Sequence, residues 1–243
     1  MNVQSSTIDT NWSAVGGGIH TKGVSTLAQT TISSNTGLSG GGGIYIGNDL
    51  TMVNMTIVNN RSYGTDGTGI YHPGDYENVI TVIIGNSVIG SSPRDDNVYG
   101  QDCHGNIYSL GYNFISLTYP NSCRIDGILT GNQYGVQPFL AGLADNLGPT
   151  KTHAFGANST LRDAGSCLFG FVTDQRGLPR PSDLPAYPNV SDGCDIGAYE
   201  EFPAPSPEGS PTPTPSIPTV TPSAPATHLF LPLIQRDGSP SPT

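Results

Sequence analysis

The sequence predicts an all-β repeat protein from two patterns that recur together. The pattern Ile-x-x-Asn occurs at residues 8–11, 32–35 and 57–60, at steps of 24 and 25 residues. A glycine-rich run ending in isoleucine follows each copy, at Ile19, Ile44 and Ile70. A period this short is too small for a domain and indicates one turn of a solenoid. We therefore predict a right-handed parallel β-helix of about 25 residues per coil.

The residues between the glycine runs are typical of short strands. Residues 50–57 alternate apolar and polar side chains, and residues 80–84 are rich in Ile and Val. Glycine clusters end these strands at regular points, where they permit tight corners. The alternative is a β-sandwich with glycine-rich turns, but a sandwich gives no reason for isoleucine and asparagine to recur in register.

Stacking such coils places equivalent residues in columns about 4.8 Å apart. We predict three buried columns: Ile8, Ile32, Ile57 and Val88; then Ile19, Ile44 and Ile70; then Leu27, Met52 and Ile83. The step from Ile57 to Val88 is longer than the others, which predicts an insertion within residues 71–78.

The asparagines of the same pattern predict a ladder of stacked side-chain amides. Asn11, Asn35 and Asn60 each lie three residues after an isoleucine of the first column. Amides stacked on successive parallel strands can hydrogen-bond to one another. Ser91 takes this position in the next turn, so we expect the ladder to end there.

Composition and charge restrict the partners. Charged residues make up 12% of the chain, and the formal net charge is −10. The nine Lys and Arg residues are scattered, which argues against binding to nucleic acid or to an anionic membrane surface. The apolar runs are also too short for a membrane span. A surface of Thr, Ser and Asn is typical of extracellular β-solenoids.

Four cysteines predict two disulfides and an oxidising compartment. We favour Cys103–Cys123 and Cys167–Cys194, each closing a local loop, among three pairings of the four. The alternative is four buried free thiols. The spacings contain no CxxC or HxxxH element, so we predict no metal site.

The chain divides by composition. We predict a parallel β-helix over residues 1–202, with a loop-rich end coil over 136–202. Residues 203–227 are a Pro/Ser/Thr linker, and residues 228–243 are a short apolar tail. We expect linker and tail to be disordered; the tail is either a segment that docks elsewhere or an anchoring signal. The repeat is already running at Ile8 without an export signal, so we expect either that the chain is a C-terminal fragment of a longer secreted protein or that its start is misplaced.

Four motifs in residues 138–200 resemble a known family. They are Leu-Ala-Asp-Asn-Leu-Gly-Pro-Thr-Lys-Thr-His (143–153), Asp-Ala-Gly-Ser (163–166), Thr-Asp-Gln-Arg-Gly-Leu-Pro-Arg-Pro (173–181) and Cys-Asp-Ile-Gly-Ala-Tyr-Glu (194–200). In this order they are similar to the choice-of-anchor Q domain of secreted bacterial β-helix proteins. The glycine and asparagine repeats are also similar to those of polymorphic outer-membrane adhesins.

The resemblance implies a secreted pectin-lyase-like fold whose domain precedes a variable C-terminal attachment device. It implies no catalytic residues. The chain departs from the family at residues 158–162, where Asn-Ser-Thr-Leu-Arg replaces the usual Ser-Pro-Ala-Ile before Asp-Ala-Gly. That difference concerns local packing.

β-Helices often cleave acidic polysaccharides, so we tested the sequence for paired carboxylates. The densest acidic group is Asp95, Asp96 and Asp102, beside Arg94. It lacks the Gly-His-Gly and Arg-x-Lys elements of polygalacturonases, and we interpret it as a solvated loop rather than a calcium or catalytic site. Residues 64–69 resemble one copy of a calcium-binding repeat, which needs several.

A second charged group lies within the family motifs: Asp174, Arg176, Arg180, Asp195 and Glu200. We interpret it as a structural cluster in which arginines join the end coil through bidentate carboxylate pairs. The sequence thus predicts no catalytic, cofactor-binding or metal-binding residue.

The first functional hypothesis is a non-enzymatic secreted or cell-surface protein with a role in adhesion or in matrix or glycan contact. The alternative is a fragment of a polysaccharide lyase or glycoside hydrolase whose catalytic coils lie upstream. The expected partners are extracellular polysaccharide and, through the tail, an attachment machinery.

Overall fold

The protein was analysed as a computed structural model that describes residues 1–64, 67–74, 80–90, 102–116, 123–135, 137–167 and 170–203. Within these ranges the fold is all-β, with no helix. Several sequence predictions lie outside them: Ser91, the loop residues Arg94, Asp95 and Asp96, and the linker and tail from residue 204 onward.

The described residues form twenty strands. In chain order they are β1 (Asn2–Gln4), β2 (Thr7–Asp9), β3 (Trp12–Ser13), β4 (Ile19–Thr21), β5 (Ser25–Ala28), β6 (Thr31–Ser33), β7 (Thr36–Gly37), β8 (Ile44–Ile46), β9 (Leu50–Val53), β10 (Thr56–Val58), β11 (Arg61–Ser62), β12 (Ile70–Tyr71), β13 (Val82–Gly85), β14 (Val88–Gly90), β15 (Cys103–Leu110), β16 (Phe114–Ser116), β17 (Cys123–Ile128), β18 (Gln133–Gly135), β19 (Leu140–Ala144) and β20 (Thr152–Phe155).

Eighteen of these strands form three parallel sheets. A nine-stranded sheet runs β1-β5-β9-β13-β15-β12-β8-β4, with β17 paired to β15. A six-stranded sheet runs β18-β16-β14-β10-β6-β2, and a three-stranded sheet runs β11-β7-β3. The long strand β15 pairs with both β12 and β13, so the nine-stranded sheet curls around it. The remaining pair, β19 and β20, is antiparallel.

The chain passes through the sheets in a repeated order. Strands β1 to β4, β5 to β8 and β9 to β12 each visit the nine-stranded, six-stranded, three-stranded and again the nine-stranded sheet. Ile19 pairs with Ile44, and Ile44 pairs with Ile70, as the sequence predicts. These isoleucines are at most 7% exposed and belong to the main apolar core, so the predicted column is confirmed.

The other two columns are confirmed in their first members but shift by one residue later. Ile57 pairs with Ile89 rather than aligning with Val88, and Met52 pairs with Ile84 rather than with Ile83. The five-residue spacing between columns fits Ile84 and Ile89 as well as it fits Ile83 and Val88. A one-residue shift reverses the face of a strand, so Ile83 and Val88 point outward.

The insertion before these strands begins later than expected. Tyr71 belongs to β12 and pairs with Tyr45, so it is part of the regular repeat. Residues 75–78 of the expected insertion lie outside the described ranges.

The glycine runs serve close backbone approach as well as turn geometry. Gly41 has a φ of +61°, which favours glycine, but Gly42 and Gly43 do not have positive φ. A Cβ at Gly43 would stand 2.5 Å from the carbonyl oxygen of Gly69 and 3.0 Å from the side-chain nitrogen of Asn60. Glycine at this position therefore allows neighbouring repeats and the asparagine ladder to stack.

We expect Gly43→Ala to lower the free energy of unfolding by about 1–3 kcal/mol, because the added methyl group must displace the Gly69 backbone. Chemical denaturation measures the change. Gly23→Ala is the matched control, because a Cβ there meets no atom within 4 Å. Equal stability of the two variants would contradict this explanation of the glycine runs.

The C-terminal part of the described chain forms a layer on one side of the repeats, which corrects the predicted end coil. We call residues 137–167 and 170–203 the C-terminal layer. It contacts the outer face of the six-stranded sheet along its whole width, through hydrogen bonds to Thr7, Thr31, Thr56 and Gln133. The layer therefore covers a flank of the repeats.

A second apolar core explains this position. Val58, Val88 and Phe114 point outward from the six-stranded sheet and pack against layer residues including Leu161 and Ile196. Both faces of this sheet are thus covered, which accounts for the burial of every residue of β6, β10, β14 and β16. Exposed, these outward apolar side chains would be costly in water.

Both predicted disulfides are present. Cys103 is bonded to Cys123 and Cys167 to Cys194, with Cα–Cα distances of 5.5 and 5.6 Å. The first joins β15 to β17, and the second joins two segments of the C-terminal layer. Among the described residues, none forms a helix long and apolar enough to cross a bilayer.

Candidate functional site

The acidic residues suggested by the sequence do not form an accessible group in the described ranges. Arg94, Asp95 and Asp96 lie outside those ranges, while Asp102 is 1% exposed. The Asp102 carbonyl oxygen accepts hydrogen bonds from the amides of Gly69 and Ile70. The interpretation of Asp102 as part of a solvated loop is therefore wrong, because its carbonyl group belongs to the backbone hydrogen bonds at the start of β15.

The glycine segment 64–69 continues the corners of the preceding repeat. The Gly67 carbonyl oxygen accepts a hydrogen bond from the Gly41 amide at 3.0 Å. The Gly69 carbonyl oxygen likewise accepts a hydrogen bond from the Gly43 amide. Thr65 and Asp66 lie outside the described residues. The described part of this segment accordingly serves to stack repeats.

The five charged residues of the family motifs form one buried cluster. Arg180 donates from Nε to Oε2 of Glu200 at 2.8 Å and from a terminal nitrogen to the Gly197 carbonyl oxygen at 2.8 Å. Arg176 donates from Nε to Oδ2 of Asp174 at 2.8 Å, and its guanidinium lies 3.9 Å from the centre of the Tyr199 ring.

The carboxylates of this cluster are completed by backbone amides. Glu200 Oε1 accepts from the Ser182 amide at 2.8 Å, and Asp195 accepts from the amides of Asp163 and Glu201 at 2.7 and 2.6 Å. Asp174, Asp195 and Glu200 are at most 1% exposed. Each arginine meets one carboxylate oxygen rather than forming the predicted bidentate pair, because amides take the other oxygen. The geometry agrees with the predicted structural role.

Burial shifts the titration of several groups in the C-terminal layer. Burial, with the charge of Glu200, raises the pKa of Asp195 to about 8, although backbone amides and Arg180 oppose the shift. Burial also raises the pKa of Glu200. Burial lowers the pKa of His153, whose Nδ1 lies 2.7 Å from the Ala141 carbonyl oxygen and whose Nε2 lies 2.9 Å from the Ser33 hydroxyl.

These shifts predict that stability falls as the pH rises from 6.5 to 8. The Asp195 contribution is complete below pH 3.8 and is lost as the pH approaches 8, because the unfolded carboxyl has already released its proton. His153 acts in the opposite sense, and its contribution is lost as the pH falls below 6.5. We expect a slope of about 1 kcal/mol per pH unit in urea unfolding. Asp195→Asn should flatten it, and an unchanged slope in that variant would contradict the assignment.

A row of aromatic side chains lies on the outer face of the nine-stranded sheet. His20, Tyr45, Tyr71 and His104 pair in register on β4, β8, β12 and β15. Their ring centres are 4.9, 5.3 and 4.8 Å apart in that order, and the Tyr71 and His104 rings are stacked with planes 17° apart. Tyr71 and His104 thus contact each other face to face, whereas His20 meets Tyr45 edge to face.

A second outward row lies on the same sheet. It contains, in register, Thr26, Thr51, Ile83, Tyr108 and Asp126. Tyr108 is 47% exposed. A Cβ at Gly127 would stand 3.0 Å from both Cε1 and Cε2 of Tyr108, so one face of the ring lies flat over this glycine. We call the two rows together the aromatic face.

Sequence reasoning missed the aromatic face, although a signal was present. His20, Tyr45 and Tyr71 each follow directly after an isoleucine of the second column, and strand alternation places such residues outward.

No protein-family model, curated protein or solved structure matches the chain.

One group of potential metal ligands exists among the described residues, and it does not fit a metal. Cys167, Asp192 and Cys194 lie close together, but the two sulfur atoms are joined in a disulfide. Oxidised sulfur offers no thiolate to a cation. Asp192 instead accepts hydrogen bonds from the Cys167 amide and the Ser166 hydroxyl, which fixes this loop.

Proposed function

We propose that the chain is a right-handed parallel β-helix that acts, without catalysis, as a secreted or cell-surface protein in contact with extracellular polysaccharide. The repeated visiting order and the in-register parallel pairs support the β-helix. The handedness follows from the strong preference of parallel crossovers for right-handed connections.

Two disulfides support an extracellular location, because such bonds persist in oxidising compartments. The low content of charged residues supports the same location. Membership of the choice-of-anchor Q family is part of the proposal. Its supporting observation is that Asp174, Arg176, Asp195 and Glu200, which come from two of the four motifs, meet in one buried cluster. Attachment through the tail remains part of the same proposal.

The observation that carries the functional proposal is the aromatic face. Tyr and His side chains recur in register on adjacent strands at ring-centre separations of 4.8–5.3 Å, and Tyr108 is 47% exposed on the same sheet. A polysaccharide is a periodic ligand with hydroxyl groups and apolar ring faces, so it is complementary to such a surface. Accessible paired carboxylates, which glycoside hydrolysis requires, are not seen among the described residues of this face.

Incubation of the full chain with a panel of neutral and acidic polysaccharides tests the proposal. We expect retention of the protein on at least one polysaccharide, with no new reducing ends or unsaturated products. Release of such products would favour the alternative, a polysaccharide lyase or glycoside hydrolase of the pectin-lyase-like superfamily. Absence of both retention and products for every member of the panel would contradict both functions.

A further inference from the structure

We infer that the outer edge of β17 is a self-complementary surface on which a second copy of this chain pairs strand to strand, giving a two-fold symmetric dimer. Three observations carry the inference: the open edge of β17, the exposed end of the apolar core beside it, and the arrangement of charges along the strand. The inference does not depend on polysaccharide binding.

The outer edge of β17 is open for pairing. β17 pairs with β15, and among the described residues no strand pairs with its other edge. Ser25 and Leu50 take the position of Ile125 in earlier strands, and the amide of each donates to the residue directly before the following strand. The backbone groups of Ile125 therefore point toward the open edge, where a further strand can bond to them.

The apolar core is exposed at the same end of the repeats. Tyr134 of β18 pairs with Ile115, which is fully buried in the main core. Tyr134 is nevertheless 49% exposed, and the neighbouring Ile128 and Leu129 are 49% and 52% exposed. An apolar column that ends in solvent beside an unpaired strand favours association with another protein surface.

The charges of β17 select a second copy as the partner. Arg124 and Asp126 flank Ile125 on the outward face and form an ion pair, with side chains that are 74% and 56% exposed. In an antiparallel pairing of β17 with its copy, centred on Ile125, Arg124 lies directly opposite Asp126 of the second copy. The two-fold axis repeats this pair, so two cross-strand ion pairs form at once.

The same charges select the direction of pairing. Opposite charges directly across a pair of strands are stabilising, and like charges there are destabilising. A parallel pairing in register would place Arg124 opposite Arg124 and Asp126 opposite Asp126. The antiparallel pairing avoids both contacts, and its central residues exchange backbone hydrogen bonds. Its axis also brings the two exposed ends of the apolar core together.

Sedimentation equilibrium of the full chain at several protein concentrations tests the inference, and we expect a monomer–dimer equilibrium. Arg124→Glu and Asp126→Arg, each alone, place like charges opposite each other and should weaken dimerisation at least about tenfold. An equimolar mixture of these two variants should form a dimer again, because every cross-strand pair then has opposite charges. Lys22→Glu is the matched control, because it reverses an exposed charge in the first repeat.

Hydrogen exchange of the Ile125 amide provides a second measurement. Its exchange should slow as the protein concentration rises, and this dependence should be absent in Arg124→Glu. A chain that stays monomeric up to about 100 μM would overturn the inference. So would a dimer that both single variants leave unchanged, or that Lys22→Glu weakens equally. Slow exchange at every concentration in a monomer would show that the edge is covered within one chain, which would also overturn it.

Discussion

Arg180→Ala is expected to lower the free energy of unfolding by about 3–5 kcal/mol. The substitution removes the guanidinium that donates to Glu200 and to the Gly197 and Tyr199 carbonyl oxygens. Glu200 is fully buried and would keep its charge without a cation, or would take up a proton at a further cost. These contacts all lie within the C-terminal layer, so the substitution should loosen that layer.

Urea unfolding of wild type and variant measures the effect. Arg124→Ala is the matched control, because Arg124 pairs with Asp126 but the two side chains are 74% and 56% exposed. Such exposed pairs contribute about 0–1 kcal/mol. A loss below about 1 kcal/mol in Arg180→Ala would show that the buried cluster does not hold the layer.

Asn35→Ala is expected to lower the free energy of unfolding by about 2–4 kcal/mol. The Asn35 side chain accepts from the backbone and side-chain amides of Asn11 at 3.0 and 2.9 Å. It also donates to the Asn60 side chain at 3.0 Å and to the Ile8 carbonyl oxygen at 2.9 Å. Alanine makes none of these bonds and leaves buried partners without them.

The matched control is Asn11→Ala, at the exposed end of the same ladder. It removes one bond to Asn35, whose side-chain oxygen keeps the hydrogen bond from the Asn11 backbone amide. We expect a loss below about 1 kcal/mol, measured by the same unfolding experiment. If both alanine variants lost the same free energy of unfolding, the position of an asparagine in the ladder would not influence its contribution to stability. The ladder would then not be cooperative.

Features that repeat at short intervals could be predicted from the sequence. The Ile19, Ile44 and Ile70 column and the Asn11, Asn35 and Asn60 ladder are both formed. Each follows from the spacing of residues within one repeat. Because side chains alternate along a strand, that spacing determines the face of the sheet on which each side chain lies. The two disulfides could be predicted because each joins cysteines that lie close in the sequence, with separations of 20 and 27 residues.

Prediction was less accurate where the period changes. After the longer step, Ile83 and Ile84 are both apolar and both fit the column, as do Val88 and Ile89. The outward-facing Val88 is apolar because the C-terminal layer covers it. A strand that is buried on both faces lacks the alternation of apolar and polar residues from which its register could be predicted.

The C-terminal layer itself could not be placed from the sequence. Its contacts join residues far apart in the chain, such as Thr31 with Gln175 and His153 with Ser33. No period relates these pairs. A second set of stacked amides was also missed: Asn54 with Asn86, and Asn113 with Asn132. Asn54 and Asn86 have φ values of +53° and +48°, so they look like corner residues.

The account depends on the stacking of equivalent residues in successive repeats, and a pair of engineered cysteines tests this most directly. Thr26 and Thr51 are outward partners on β5 and β9, about 4.8 Å apart at Cα, within the range that a disulfide spans. We expect the double variant Thr26→Cys/Thr51→Cys to form this bond under mild oxidation, detected by non-reducing peptide mapping. Thr26→Cys/Ile83→Cys, two strands apart, should not. Failure of the first pair, or equal bonding in the second, would contradict the stacked repeats.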